Sequence, residues 1–151
     1  MYRLTKIVNR TLIIVLAVAL TSCGGKKQKS FSDAPLTDKQ LKHGIGPIDT
    51  VRIGSIDNRL VRRGRSIFRA ECMKCHTMDK AVLGPALRDI TDRRTPEFIM
   101  NMILNPQENV MRHPILQKYH QQFNQYMTDV GLDSSGARAV LEYLRSEAPE
   151  E

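Results

Sequence analysis

The sequence predicts an all-α fold, and three observations support this class. Apolar residues recur at steps of three and four over residues 58–70, which places them on one face of a helix. Several such stretches are bounded by typical helix signals, with Thr95-Pro96 as a start and Asn105-Pro106 as a stop. No stretch alternates convincingly between apolar and polar residues at the period of two that a half-buried strand requires.

Four helices can be bounded from these signals. The first is capped by Asp57-Asn58, and its arginines lie opposite an apolar face. Its predicted buried face consists of Leu60, Val61, Gly64, Ile67 and Phe68. The predicted helices run over about residues 58–70, 96–104, 114–124 and 134–146.

The first 22 residues are predicted to be a targeting segment. Three basic residues and no acidic ones precede an apolar run from Thr11 to Leu20. This run is shorter than the about 20 residues of a membrane-spanning helix and matches the apolar part of a secretory signal. Leu20-Thr21-Ser22-Cys23 resembles the bacterial lipobox, which implies cleavage before Cys23 and lipid modification of that cysteine. An ordinary secretory signal and an uncleaved anchor are the alternatives.

The composition changes twice between Cys23 and the globular region. Residues 23–42 are polar and lack periodicity, which predicts a flexible, lipid-anchored tether. Residues 43–56 contain Gly44-Ile45-Gly46-Pro47 and further isoleucines, which is typical of an extended arm that packs on the domain. The domain itself is predicted over residues 57–148.

The strongest chemical signal is the pentad Cys72-Met73-Lys74-Cys75-His76. Two thiols separated by two residues and followed directly by an imidazole form the attachment signature of c-type haem. Each thiol forms a thioether with one vinyl group of the porphyrin, and His76 is the proximal iron ligand. A bare Cys-x-x-Cys pair is also found in redox dithiols and zinc sites. Cys23 is the only other cysteine and no thioredoxin-like βαβ pattern is visible, so one covalent haem c is the favoured cofactor.

The surrounding residues resemble the class I, single-haem cytochromes c over about residues 57–146. The shared residues are Gly64, Phe68, Cys72, Cys75, His76, Gly84, Pro85, Leu87 and Tyr143. The resemblance implies about four to five helices around one covalently attached haem. It implies that the backbone of Pro85 supports His76 through a hydrogen bond. It also implies a close crossing of the first and last helices at Gly64, with Phe68 and Tyr143 packed beside it.

The second axial ligand that the resemblance implies is Met127. This methionine follows a predicted loop and precedes the terminal helix, where class I cytochromes c place the distal ligand. It lacks the neighbouring proline that is frequent in the family. Met111 is the next candidate, and His120 or His113 would give bis-histidine ligation.

The resemblance implies an electron carrier rather than an enzyme, tethered to a bacterial membrane in the periplasm through lipid on Cys23. The sequence does not distinguish the inner from the outer membrane. The expected partners are redox proteins of a respiratory chain, with a quinol-oxidising complex upstream and a terminal oxidase or nitrogen-oxide reductase downstream. A gas-binding haem sensor with a labile distal position is the alternative, and a peroxidase ranks third because no distal His/Arg pair is evident.

Charge is divided unevenly along the chain. The formal net charge is +7 for 151 residues, and it falls to +4 without residues 1–22, which hold three basic and no acidic residues. Residues 52–94 hold 11 basic and 5 acidic residues, whereas residues 95–151 hold 4 and 8. This division predicts electrostatic steering towards an acidic partner, although a solvated helix face would have a similar composition. A nucleic-acid partner is disfavoured because the protein is expected outside the cytoplasm and its basic residues lack interleaved aromatics.

Overall fold

The computed structural model describes residues 33–149, and their regular structure is entirely helical. The helices are α1 Asp38–His43, α2 Asn58–Ile67, a π-helical turn Phe68–Cys72, α3 Ile90–Arg93, α4 Pro96–Leu104, α5 Pro106–Arg112, α6 Pro114–Phe123 and α7 Ser134–Ser146. No strand occurs in this range, so the all-α prediction is confirmed. None of the helices in it is long and apolar enough to cross a membrane. The predicted signal segment, Cys23 and the tether up to residue 32 lie outside the described residues.

Side-chain caps set the starts of the longer helices. Asp57 accepts hydrogen bonds from the amides of Arg59 and Leu60 at the start of α2. Thr95 caps α4 in the same way, and Asp133 caps α7. Each cap stabilises its helix by about 1 kcal/mol because it satisfies amides that have no partner within the helix. The predicted starts of these helices are confirmed.

Three short helices and one turn were not expected from the sequence. Residues 38–42, which the composition assigned to the tether, belong to α1, and Thr37 and Gln40 close its start with a reciprocal capping box. α3 and α5 are four and seven residues long. The first long helix was expected to remain α-helical to about residue 70, but it changes to a π-helical turn after Ile67.

The core lies where α2 crosses α7. A β-carbon at Gly64 would fall on the carbonyl oxygen of Ala139, so only glycine permits the two backbones to approach this closely. The rings of Phe68 and Tyr143 pack beside the crossing with their centroids 5.3 Å apart and their planes inclined at 58°. This is the crossing that the resemblance implied.

Residues 43–51 run along α4 and α5 and are held by buried side chains. Asn109 accepts from the amide of Ile45 at 2.8 Å and donates to its carbonyl oxygen at 2.6 Å. Asn101 pairs with the amide and carbonyl groups of Ile48 in the same manner, at 2.9 Å each. Glu97 accepts from the amide of Val51 at 2.8 Å. The expected arm therefore has specific polar anchors as well as apolar contacts.

Candidate functional site

The predicted attachment pentad begins at the end of the π-helical turn. The amide of Met73 donates to the carbonyl oxygen of Phe68 at 3.0 Å, which widens the last turn of the helix. The amides of Cys75 and His76 then both donate to the carbonyl oxygen of Cys72, at 3.1 and 3.0 Å. Neither cysteine of the pair forms a disulfide bond with a described residue; Cys72 packs against the core and Cys75 is exposed. The helix end thus presents two thiols and one imidazole on a single turn.

The imidazole of His76 is oriented by the segment that follows it. Its Nδ1–H donates to the carbonyl oxygen of Pro85 at 2.9 Å. The amide of Gly84 donates to the carbonyl oxygen of Cys75 at 2.9 Å, which fastens this segment to the pentad. Because a carbonyl can only accept, Nδ1 carries the proton and the free lone pair lies on Nε2. His76 is therefore in the tautomer that can bind a metal through Nε2.

Gly84 is a site residue that motif reading alone did not explain. A β-carbon at this position would lie 2.5 Å from Cε1 and 2.9 Å from Nδ1 of His76. The glycine therefore makes room for the imidazole against the backbone. The only sequence signal for this contact was the glycine that precedes Pro85.

The pKa of the Cys72 thiol is too high for a redox nucleophile. Burial, with a smaller contribution from the nearby charge of Glu71, raises the pKa of Cys72 to about 11. Reactive dithiols instead have a cysteine with a lowered pKa, so that the thiolate is populated at neutral pH. The local environment therefore disfavours the redox-dithiol interpretation of this pair.

The candidate distal methionines differ sharply in their surroundings. Met127 is half-buried and packs against the main core cluster, which Cys72 and Leu87 also contact. Met111 is 54% exposed on α5. Met100, by contrast, is buried within the same core cluster as an ordinary packing residue. Of these three, only Met127 lies at the edge of the cluster that also receives the attachment turn.

The other three histidines each form a contact with another described residue. His113 is buried and donates from Nε2 to the carbonyl oxygen of Leu41 at 3.0 Å. His43 lies 3.0 Å from the hydroxyl of Thr95, and His120 donates from Nδ1 to the carbonyl oxygen of Gln125 at 3.0 Å. Within residues 33–149, no group of three or more His, Cys, Asp or Glu side chains could hold a metal ion.

This set of groups fits a covalently attached haem. Two neighbouring thiols match the two thioether bonds, and a histidine with its lone pair on Nε2 matches the proximal ligand. The glycine against which His76 packs leaves the imidazole ring in a defined plane. A haem macrocycle supplies four nitrogen ligands itself, so the chain has to supply only one or two more.

A basic hollow lies on the exposed side of the helix that leads to the pentad. It is open to solvent, has a volume of about 510 Å³ and is lined by Arg62, Arg65, Ser66, Arg69 and Ala70. Arg62 and Arg69 form no ion pair with any described residue, whereas Arg65 pairs with Glu147 at 3.4 Å. Three of the 11 basic residues of residues 52–94 therefore line one surface, on the helix that leads to Cys72.

Comparison with known proteins identifies close structural relatives. The profile of the cytochrome c family matches residues 61–148. A solved cytochrome c from Rhodothermus marinus is 43% identical, with a TM-score of 0.70, and the match covers 73% of this chain and 96% of that one. An engineered cytochrome c from the same organism, Rma TDE, is 42% identical with a TM-score of 0.69 over the same shares of the two chains. No curated protein matches the chain.

Proposed function

The chain belongs to the cytochrome c family and carries covalently bound haem c, and we propose that it is a lipid-tethered electron carrier with His76 and Met127 as axial ligands. In this proposal Cys72 and Cys75 hold the haem through thioethers. The haem supplies a one-electron couple between ferrous and ferric iron. The chain binds and orients the haem, and sets the affinity of the iron for the electron.

The observation that carries this proposal is the hydrogen bond from His76 to Pro85. It commits Nδ1 to the backbone and leaves Nε2 as the ligand atom, on the same turn as both thiols. A proximal histidine that donates to a carbonyl is held in one plane and is a stronger electron donor to iron than a free imidazole. A fixed ligand also keeps structural change between the two oxidation states small, as rapid electron transfer requires.

Met127 is proposed as the distal ligand because of its position and its chemistry. It borders the cluster that receives Cys72, whereas the next candidate, Met111, is mostly exposed. A thioether favours ferrous iron and raises the reduction potential. An iron with two protein ligands has no free position for substrate or gas, which favours an electron carrier over the sensor and peroxidase alternatives.

The proposed location is supported by the segments that precede the domain, and the proposed partners by its surface. The lipobox-like sequence that ends at Cys23 supports a lipid anchor on the periplasmic face of a bacterial membrane, and covalent haem is attached in the same compartment. The basic hollow supports docking to an acidic redox protein. The proposed upstream partner is a quinol-oxidising complex, and the downstream partner is a terminal oxidase or a nitrogen-oxide reductase.

Optical spectra of the purified holoprotein test the ligation. We expect the ferric protein to show the weak band near the red edge of the spectrum that reports an Fe–S(Met) bond, and the ferrous protein to bind carbon monoxide poorly. Met127→Ala should remove the band, lower the reduction potential and permit carbon monoxide binding. Met111→Ala is the matched control and should change none of these. Ready binding of carbon monoxide by the unmodified protein would instead support the sensor.

A further inference from the structure

The side chain of His120 contacts both residues that immediately precede Met127. His120 lies in the last turn of α6, and its Nδ1–H donates to the carbonyl oxygen of Gln125 at 3.0 Å. Its ring stacks on that of Tyr126, with 3.9 Å between the centroids and 33° between the planes. One side chain therefore holds a short stretch of loop through two contacts of different kinds.

This stretch of the α6–α7 connection has few other polar contacts. Asn124 ends α6 in the left-handed conformation with φ of 50°, and its amide donates to the carbonyl oxygen of His120 at 2.8 Å. Among the described residues, the next hydrogen bond of the connection lies beyond Met127, from the amide of Gly131 to Asp129 at 2.9 Å. The contacts of His120 therefore dominate the polar support of the chain that leads into Met127.

Tyr126 and Met127 differ in burial although they are consecutive. Both lie in residues 124–133, which belong to no helix or strand. Tyr126 is 60% exposed, whereas Met127 is half-buried against the core. The stack on His120 therefore holds Tyr126 on the solvent side, and the next residue, Met127, lies on the core side.

We propose that His120 and Tyr126 form a positioning pair for the distal ligand, which keeps the Met127 thioether directed at the haem iron. The inference rests on the proposed His76/Met127 ligation and deepens it. It gives His120 a role different from that of an alternative ligand, because both of its contacts are made to the two residues that precede Met127. In this proposal neither residue of the pair is an iron ligand, and both act through Met127.

The test is the competition between exogenous imidazole and Met127 for ferric iron in the holoprotein. Tyr126→Ala removes the stack alone and should raise the apparent affinity for imidazole by up to about ten-fold, the upper end expected for the loss of one aromatic pair. His120→Ala removes the Nδ1 donor as well and should raise it at least as much. Tyr126→Phe keeps the stack and should behave as the unmodified protein. His120→Phe keeps an aromatic ring without the Nδ1 donor and should give an intermediate affinity.

A second measurement separates loop opening from unfolding. On heating, Tyr126→Ala and His120→Ala should lose the Fe–S(Met) band at a lower temperature, while the far-UV circular dichroism midpoint stays near that of the control Gln121→Ala, an exposed change on the same helix. The inference would be overturned if Tyr126→Ala and His120→Ala bound imidazole with the same affinity as Gln121→Ala. It would also be overturned if the temperature at which the band is lost and the circular dichroism midpoint fell by the same amount. If Met127→Ala itself retains the band, the proposed ligation fails; if only the Tyr126 and His120 variants lack an effect, the positioning role alone fails.

Discussion

The backbone of Gly84 lies against the imidazole of His76 so closely that a β-carbon there would be 2.5 Å from Cε1 and 3.1 Å from Nε2. The adjacent Pro85 accepts a hydrogen bond from Nδ1 of the same ring. Two consecutive residues thus restrict the same ring, one by its carbonyl group and the other by its lack of a side chain. The plane of the His76 ring is set by this short segment.

Gly84→Ala should therefore disturb the haem more than the fold. The added methyl group forces the His76 ring out of its plane, and overpacking of this kind costs about 1–3 kcal/mol. We expect a shifted reduction potential, an altered ferric spectrum and a lower thermal midpoint. Gly54→Ala is the matched control, because no atom lies within 4 Å of a β-carbon at that position. Identical potentials for the two variants would contradict the role given to Gly84.

The part of the fold that could be predicted is the part that local signals determine. Asp57, Thr95 and Asp133 cap helices through contacts within three residues, and such contacts are visible in sequence. α5 was missed because Asn105-Pro106 is both a stop for α4 and a start for the next helix. A proline at the first helical position satisfies either interpretation.

The arm shows what could not be predicted. Its apolar residues indicated packing, and Ile45 is buried, but Ile53 and Ile56 are 42% and 40% exposed. Its main anchors are Asn101 and Asn109, whose bonds to residues 43–48 span more than 50 positions of the chain. No local pattern reveals such partners, because an asparagine within a helix is usually solvated. The contact of Gly84 with His76 could not be predicted either, because it depends on how the chain between these two residues folds back.

Asn109→Asp should release the arm. The side chain is 0% exposed, and its Nδ2 donates to the carbonyl oxygens of Ile45, Asn101 and Asn105. A carboxylate would place negative charge against these oxygens, with an expected cost of at least about 3 kcal/mol. Thermal denaturation should show the loss, and limited proteolysis should cut within residues 33–56. Asn58→Asp makes the same change at an exposed helix start, where it should be neutral or mildly stabilising.

Acid should remove the stabilisation that Glu142 provides. Burial would raise the pKa of Glu142, but hydrogen bonds from the Asp57 amide and from Arg138, and the charge of Arg145, hold it below its usual value. A lowered folded-state pKa means that the stabilisation is complete above the ordinary value near 4.5 and is lost as pH falls through the folded value.

Urea denaturation of the holoprotein at several pH values measures this effect. At pH 7, Glu142→Gln should lower the unfolding free energy by up to about 3 kcal/mol. The loss is smaller than for a fully buried ion pair because the guanidinium groups of Arg138 and Arg145 stay partly solvated. The difference in unfolding free energy between this variant and the unmodified protein should become smaller as the pH falls below the ordinary carboxyl pKa of 4.5. Glu71→Gln changes an exposed carboxyl group and should have little effect at any pH. A Glu142→Gln difference that is constant from pH 7 to pH 3 would assign the loss to packing.

Lipid on Cys23 should hold the protein on the membrane. Cys23→Ala should abolish lipid labelling and release the haem protein into the soluble periplasmic fraction, because the acyl chains supply the membrane affinity. Ser22→Ala keeps a small residue before the cysteine and should leave labelling and location unchanged. Retention of Cys23→Ala in the membrane after a salt wash would point to an uncleaved signal helix as the anchor.

The arginines of the basic hollow should attract negatively charged redox partners. Arg62 and Arg69 are exposed and have no ion-pair partner in the described part of the chain, so their charges are available to a docking molecule. Stopped-flow oxidation of the ferrous protein by anionic ferricyanide should slow as salt rises, since the Debye length falls from about 10 Å at 0.1 M to about 3 Å at 1 M. Combined Arg62→Glu and Arg69→Glu should slow the reaction about ten-fold at low salt and have little effect at 1 M. A cationic cobalt(III) oxidant should react faster as salt rises.

The control is a pair of charge reversals outside the hollow. Arg52→Glu together with Lys118→Glu makes the same change in net charge at exposed positions. Equal slowing by this control pair would show that ferricyanide responds to the net charge of the protein and not to the hollow.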